Sequence, residues 1–144
     1  MMSRFDVLGE RCSMKEYDVI LSMKSCTNLQ QYSVSLARVV RQLSHKLLDR
    51  SYRDRSAIDQ FYRSGTSVGA NIREARYAES AKDLVHKLKI AEKELAEFYY
   101  WLGLLTSEPM MITDIEAGEL LNLANQIGKL LTASIITLKQ KHKL

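Results

Sequence analysis

The stretch DLVHKLKIAEKELAEFYYWLGLL, Asp83 to Leu105, decides how the rest of the chain is read. Its apolar residues Leu84, Leu88, Ala91, Leu95, Phe98, Leu102 and Leu105 recur in alternating steps of four and three, which lays them along one helix face as a heptad seam. Lys87, Lys89, Glu92, Lys93, Glu94 and Glu97 fall between them, so the opposite face carries both signs of charge and belongs in water. From Leu84 to Leu105 such a helix is a rod of roughly 33 Å. A rod that long with one apolar face needs partner helices of matching length.

A chain of 144 residues is one domain by length and is long enough to enclose a single core. It is 46% hydrophobic and 26% charged, with one proline, Pro109, and six glycines, which suits a compact helical protein better than a loop-rich or disordered one. The apolar run Phe98 to Leu105 is too short to span a bilayer, so no membrane partner is expected. The first residues, MMSRFDVLGERCSMKEY, hold no apolar segment of the kind a secretory leader needs, and the expected compartment is the cytoplasm. Cys12 and Cys26, with no CxxC and no neighbouring histidine, read as free thiols.

Residues 1–28 show short apolar clusters without sustained periodicity and are expected to form an N-terminal extension, with Met14 as an alternative start. Residues 29–144 are expected to form the bundle, with helices at about 29–48, 55–78, 80–106 and 114–141. The first carries Tyr32, Leu36, Val39, Val40, Leu43 and Leu47 on one face. DRSYRD, Asp49 to Asp54, breaks it, and Asp54 is placed to cap the second. In the second, Ile58, Phe61, Gly65, Val68, Ile72 and Ala75 repeat the three-four stepping, with Gly65 and Gly69 one turn apart. Each glycine costs a helix roughly 1 kcal/mol relative to alanine, so some other gain must offset it, and close approach of another backbone is the obvious one. A polar stripe of small side chains, Ser64, Ser67 and Asn71, runs beside that seam and continues to Glu74; such groups are either wet or hydrogen-bonded across an interface.

Ser80 with Asp83 resembles a capping box at the start of the third helix, and Pro109 stops its far end. The fourth opens on Asp114, Glu116 and Glu119 and closes on Lys139 and Lys141, the polarity a helix dipole favours. Its apolar residues, among them Leu121, Leu123, Leu130 and Ile136, cover more than one stripe, and the surplus points to a contact between subunits. Four helices joined by short connections, with no strand pattern, give an all-α, up-down antiparallel four-helix bundle.

Two blocks, RSGTSVGANIREA (Arg63 to Ala75) and KLKIAEKELAEFYYWLGLL (Lys87 to Leu105), resemble the signature of the family named for proteins encoded in intervening sequences of bacterial 23S ribosomal RNA genes. The likeness extends from about Leu29 to Lys141, and SGTSVGAN is its specific part. The resemblance implies an up-down bundle assembled into a ring, a homopentamer. More distantly the fold is similar to the accessory variability determinant of diversity-generating retroelements, a basic ring-forming protein, which implies nucleic acid and a reverse transcriptase as partners.

No catalytic constellation emerges. GTSVG lacks the lysine of a phosphate loop and lies in a helical pattern, so it reads as a packing and interface motif made of Ser64, Gly65, Thr66, Ser67, Gly69 and Asn71, with Glu74 beside them. Asp83 and His86 have the spacing of half a di-iron site, but the other half is absent and no acid precedes His45 or His142 at that distance. No metal and no cofactor is expected. Ser64 or Ser67 with His86, oriented by Glu74 or Asp83, would make a nucleophile and base, but helix interiors offer no free backbone N–H groups for an oxyanion hole. Tyr99, Tyr100 and Trp101 directly follow Phe98 and cannot all face the core, so they are assigned to an interface, with stacking on unpaired bases as the sharper reading.

Charge is unevenly distributed about a net +4. Arg38, Arg41, Lys46, Arg50, Arg53, Arg55 and Arg63 lie in one segment, Lys139, Lys141 and Lys143 close the chain, and Glu108, Asp114, Glu116 and Glu119 cluster between, so the field is polarised along the molecule. Repetition around a five-fold ring would multiply each charge five times. These ten cations are the expected contacts to RNA or an RNA–protein complex, in a non-enzymatic oligomer that acts as a reverse-transcriptase accessory. The alternative is an oligomeric scaffold that binds protein and not nucleic acid. An enzyme is the third reading, and it requires Ser64, His86 and Glu74 to converge on one pocket.

Overall fold

A computed structural model describes residues 26–144, with side chains from Asn28 onward, and shows four helices: α1 (Cys26–Arg50), α2 (Arg55–Ala75), α3 (Ala81–Thr106) and α4 (Asp114–His142). The expected N-terminal extension, with Cys12 and Met14, lies outside the described residues apart from the three that open α1. Among the described residues there is no strand, and no helix is long and apolar enough to cross a membrane. Each helix packs against the next, and α1 packs against α4, so the four stand at the corners of a square in up-down order. The expected bundle is the observed one.

The seam of α3 is buried along its whole length, from Leu84 through Leu88, Ala91, Leu95, Phe98 and Leu102 to Leu105. It meets Ile58, Phe61, Val68, Ile72 and Ala75 of α2, all inside. Phe61 and Phe98 stack with ring centroids 5.4 Å apart. Burial of each large side chain is worth about 1.5–3 kcal/mol before conformational entropy is subtracted.

The two glycines of α2 have different reasons. At Gly65 an added Cβ would lie 2.9 and 3.0 Å from the two methyls of Val40 and 3.1 Å from the Phe98 ring, so only a missing side chain lets α1, α2 and α3 converge there. At Gly69 it would lie 3.4 Å from the backbone oxygen of Ser33. That is the close backbone approach, and it is looser.

Helix ends follow their caps. Ser80 accepts the Asp83 N–H at 3.1 Å, and the Asp83 carboxylate accepts from Glu79 N instead of closing a reciprocal box. Asp54 precedes α2 but makes no side-chain cap, which corrects the expectation. The full capping box belongs to α4, where Thr113 accepts from Glu116 N at 3.3 Å and Glu116 accepts from Thr113 N at 3.0 Å. The pattern T-D-I-E signals it. α2 ends three residues before the expected 78 because Arg76, Tyr77 and Ala78 turn back onto Arg73, Glu74 and Ala75.

Arg50 ties the end of α1 to the start of α4 through two bonds to the Glu116 carboxylate, at 3.0 and 3.2 Å, and a third to Met111 O at 3.1 Å. The Arg50 guanidinium, helped by the Thr113 N–H, holds Glu116 down to about 2, well below the usual carboxylate range.

Two outcomes test this account. Gly65→Ala should destabilise the fold by about 1–3 kcal/mol despite its better helix propensity, whereas Gly69→Ala should be neutral or stabilising by up to about 1 kcal/mol; urea unfolding of both variants decides it. Because Glu116 is depressed in the folded state, its contribution is present above an unfolded value of about 4.3 and is lost as pH falls from there through about 2. Glu116→Gln should therefore cost about 1–2 kcal/mol at neutral pH after allowance for solvent screening, and unfolding at a series of pH values should show the gap closing toward pH 2.

Candidate nucleic-acid interface

The bundle's connectivity sets where the charges fall. The segment from Arg38 to Arg63 climbs α1, rounds the 51–54 turn and descends α2, while Glu108 to Glu119 occupies the 107–113 loop and the start of α4 at that same end. Among the described residues, Lys46, Arg50, Arg53 and Arg55 there face seven carboxylates: Asp49, Asp54, Asp59, Glu108, Asp114, Glu116 and Glu119. Several pairs close. Besides Arg50 with Glu116, Arg55 lies 3.7 Å from Asp59 and bonds the Tyr52 hydroxyl at 3.0 Å. Farther along, Arg63 bridges α2 to α3 through Glu94 at 3.1 Å and through Glu97, which it holds below the usual carboxylate range with help from the Trp101 N–H. Arg50, Arg55 and Arg63 are thus partnered inside the protomer. The first half of the basic set does not make a positive end, because topology folds it onto the acidic segment.

Positive charge survives in two other places. At the opposite end the tail residues Lys139, Lys141 and Lys143 share the bundle's level with Arg73, Arg76 and Lys82, which together outnumber Glu74, Glu79 and Asp83 there. On the α1–α2 face lies a groove of about 540 Å³, with Arg38 and Arg41 on the α1 rim and Arg73 on the α2 rim. Its floor is apolar and shallow, formed by Val34, Ala37, Gly69 and Ala70, with Gln30, Ser33 and Thr66 as its neutral polar groups. No carboxylate lines it. Arg38 and Arg41 are exposed and form no ion pair among the described residues. Arg38 also borders a second groove against α4, where Glu119 stands.

Arg73, Arg76 and Tyr77 are absent from the set expected on sequence grounds. The signal available was the repetition of small residue and arginine one turn apart, Ala37 with Arg41 and Gly69 with Arg73. Bringing those two pairs to opposite rims of one groove requires the register of α1 on α2, which the Ser33–Gly69 contact supplies.

The polar groups of the small-residue block find partners within the protomer. Ser64 is fully buried and donates to Gln60 O at 2.8 Å; Thr66 donates to Tyr62 O at 2.9 Å; Asn71 donates to Ser67 O at 2.9 Å. Short polar side chains satisfy themselves on their own helix, one turn back. Glu74 pairs with Lys87 at 2.8 Å. Since Arg63 lies against Glu94 and Glu74 against Lys87, Ser64 sits at the level of Glu94, about 12 Å along α3 from His86. Ser64, His86 and Glu74 do not converge. Asp83 and His86 gain no companions, and among the described residues no group of three or more His, Cys, Asp or Glu is placed to hold a metal.

The aromatic run divides as its spacing demands. Phe98 is inside, Tyr99 is half-buried and donates to Asn125 Oδ1 of α4 at 2.6 Å, Trp101 donates to Glu97 at 3.2 Å, and Tyr100 is 63% exposed. Burial pushes the Tyr99 phenol up. Tyr99, Asn125, Gly128, Thr132 and Ile136 line a groove of about 670 Å³ between α3 and α4. Along this flank the apolar surplus of α4 shows: Leu121 is 40% and Ile136 51% exposed, whereas Leu123 and Leu130 pack against the core.

No curated protein matches this chain. A solved structure from Bacteroides thetaiotaomicron, described as a protein with unknown function from the S23 ribosomal protein family, is 36% identical. It superposes with a TM-score of 0.72, over 76% of this chain and 96% of its own. The family model described as 23S rRNA-intervening sequence protein matches residues 27–133, which takes in α1, α2, α3 and most of α4. The chain belongs to the 23S rRNA-intervening sequence protein family.

Proposed function

We propose that this chain is a non-enzymatic, self-associating helical bundle that binds RNA or an RNA–protein complex through its basic surfaces. The observation that carries the reading is the α1–α2 groove, where Arg38 and Arg41 stand exposed without a carboxylate on either rim. Guanidinium groups with no internal partner are suited to phosphate, and release of condensed counterions then supplies affinity. The basic end formed by Arg73, Arg76, Lys82 and the lysines of the tail extends the same field. The family's name, which refers to 23S rRNA, points the same way. A reverse transcriptase as partner rests on the fold's similarity to the accessory variability determinant alone.

Self-association is supported by the α3–α4 flank, where Leu121 and Ile136 expose apolar surface along the face whose groove is lined by Tyr99, Gly128 and Ala133. Ring closure would repeat every cation of the protomer about the axis. That flank also supports the second reading, a scaffold whose partner is another protein.

Titration with structured RNA should give log K falling linearly with log salt concentration; absence of binding at low salt removes the RNA reading. Light scattering after gel filtration should give a multiple of the 16.5 kDa protomer, and Leu121→Asp with Ile136→Asp should reduce it to the protomer mass. A wild-type protein that runs as a protomer removes the ring.

A further inference from the structure

The groove between α1 and α2 has a feature that charge alone does not require: its floor is apolar and built mostly of small side chains. Gly69 and Ala70 on one side and Ala37 on the other leave space where larger side chains would stand. Phosphate binding needs only the rims. A floor of this kind suits the face of a planar, uncharged ring system.

Exposed tyrosines continue the strip. Tyr62 lies one turn before Thr66 on α2 and is 36% exposed. Beyond Arg73, where the helix ends, Tyr77 is 72% exposed with the Arg76 guanidinium 5.7 Å from its ring centroid. From Tyr62 to Tyr77 the strip extends about 22 Å. Arginines thus rim the furrow and exposed tyrosines stand beyond its lining at either end, the two kinds of group by which proteins hold unpaired nucleotides: cations follow the phosphates and ring faces stack on bases.

The furrow's floor selects the strand class. An unpaired strand can lay its base faces on a floor of small apolar side chains, whereas a duplex keeps its base faces stacked inside and would offer only its phosphates to the rims. Building on the RNA-binding reading above, we propose that the α1–α2 groove is a site for single-stranded RNA, with phosphates on Arg38, Arg41 and Arg73 and bases on the Ala37–Gly69–Ala70 floor and on Tyr77. An acidic peptide would satisfy the rims and leave the tyrosine faces unused.

The experiment uses the full chain and a fluorescein-labelled, unstructured RNA of about 12 nucleotides, free or annealed to its complement, followed by anisotropy between about 50 and 200 mM salt. The single strand should bind at least about tenfold more tightly than the duplex. Ala70→Leu, which fills the floor from an exposed helix position, should weaken the single strand about tenfold and leave duplex binding unchanged. Ala70→Glu makes the same test should the leucine variant misfold. Arg38→Gln with Arg41→Gln should lower the salt slope by about 1.4, the value for two phosphates of a single strand. Equal binding of strand and duplex, or an Ala70→Leu protein that binds as wild type, overturns the single-strand groove and leaves RNA binding standing. Displacement of the strand by poly-glutamate at matched charge assigns the groove to an acidic peptide instead. Failure of either RNA to bind at the lowest salt overturns this inference together with the reading it rests on.

Discussion

Three helices meet where one of them has no side chain. Gly65 of α2 lies against both methyls of Val40 in α1 and against the ring of Phe98 in α3, and a methyl group placed there would have to displace a stiff β-branched side chain and a stacked ring. Contacts among the leucines of the core are more forgiving by comparison, because leucine is unbranched at Cβ. The convergence fixes the register of α1 on α2, and that register decides which residues rim the groove on the same face. Gly69, one turn on, rests on the backbone of Ser33 and contributes floor instead of wall. One empty position organises the core and its neighbour shapes the surface.

The fold was legible in the chain because it depends on periodicity, and periodicity is local. The seams of α2 and α3 are buried residue for residue, and the four helices stand where three-four stepping and end signals place them. Some of what escaped is equally local. Ser64, Thr66 and Asn71 place their hydroxyl and amide groups on carbonyls of their own helix, a bonding that residue type alone does not announce. The capping box of α4 was written as T-D-I-E but lay one residue ahead of the acidic cluster that marked the helix start.

Charge shows the difference most clearly. Counted along the chain, basic and acidic segments alternate and suggest a polarised rod. Folded up and down, Lys46 to Arg55 and Glu108 to Glu119 share one end, and Arg50 and Glu116 become a structural clamp instead of one contact surface and one counter-surface. A run of arginines in sequence therefore says little about a positive surface in a bundle; the rule that matters is which turns share an end. Arg38 and Arg41 keep their availability because they lie mid-helix, level with Thr66 and Gly69, where no carboxylate of α2 faces them.

The order of the helices around the square also separates two surfaces that the sequence presents together. The groove rimmed by arginine lies between α1 and α2, and the apolar flank lies between α3 and α4 on the opposite side. Contact between copies through Leu121 and Ile136 would leave Arg38 and Arg41 open, and repetition of the protomer would then multiply grooves instead of closing them. The alternative arrangement, in which copies meet across α1 and α2, would bring like-charged guanidinium rims together and bury them without partners, which is costly. Under the proposed function the two faces would then divide the tasks, α3 and α4 serving self-association and α1 and α2 an anionic partner.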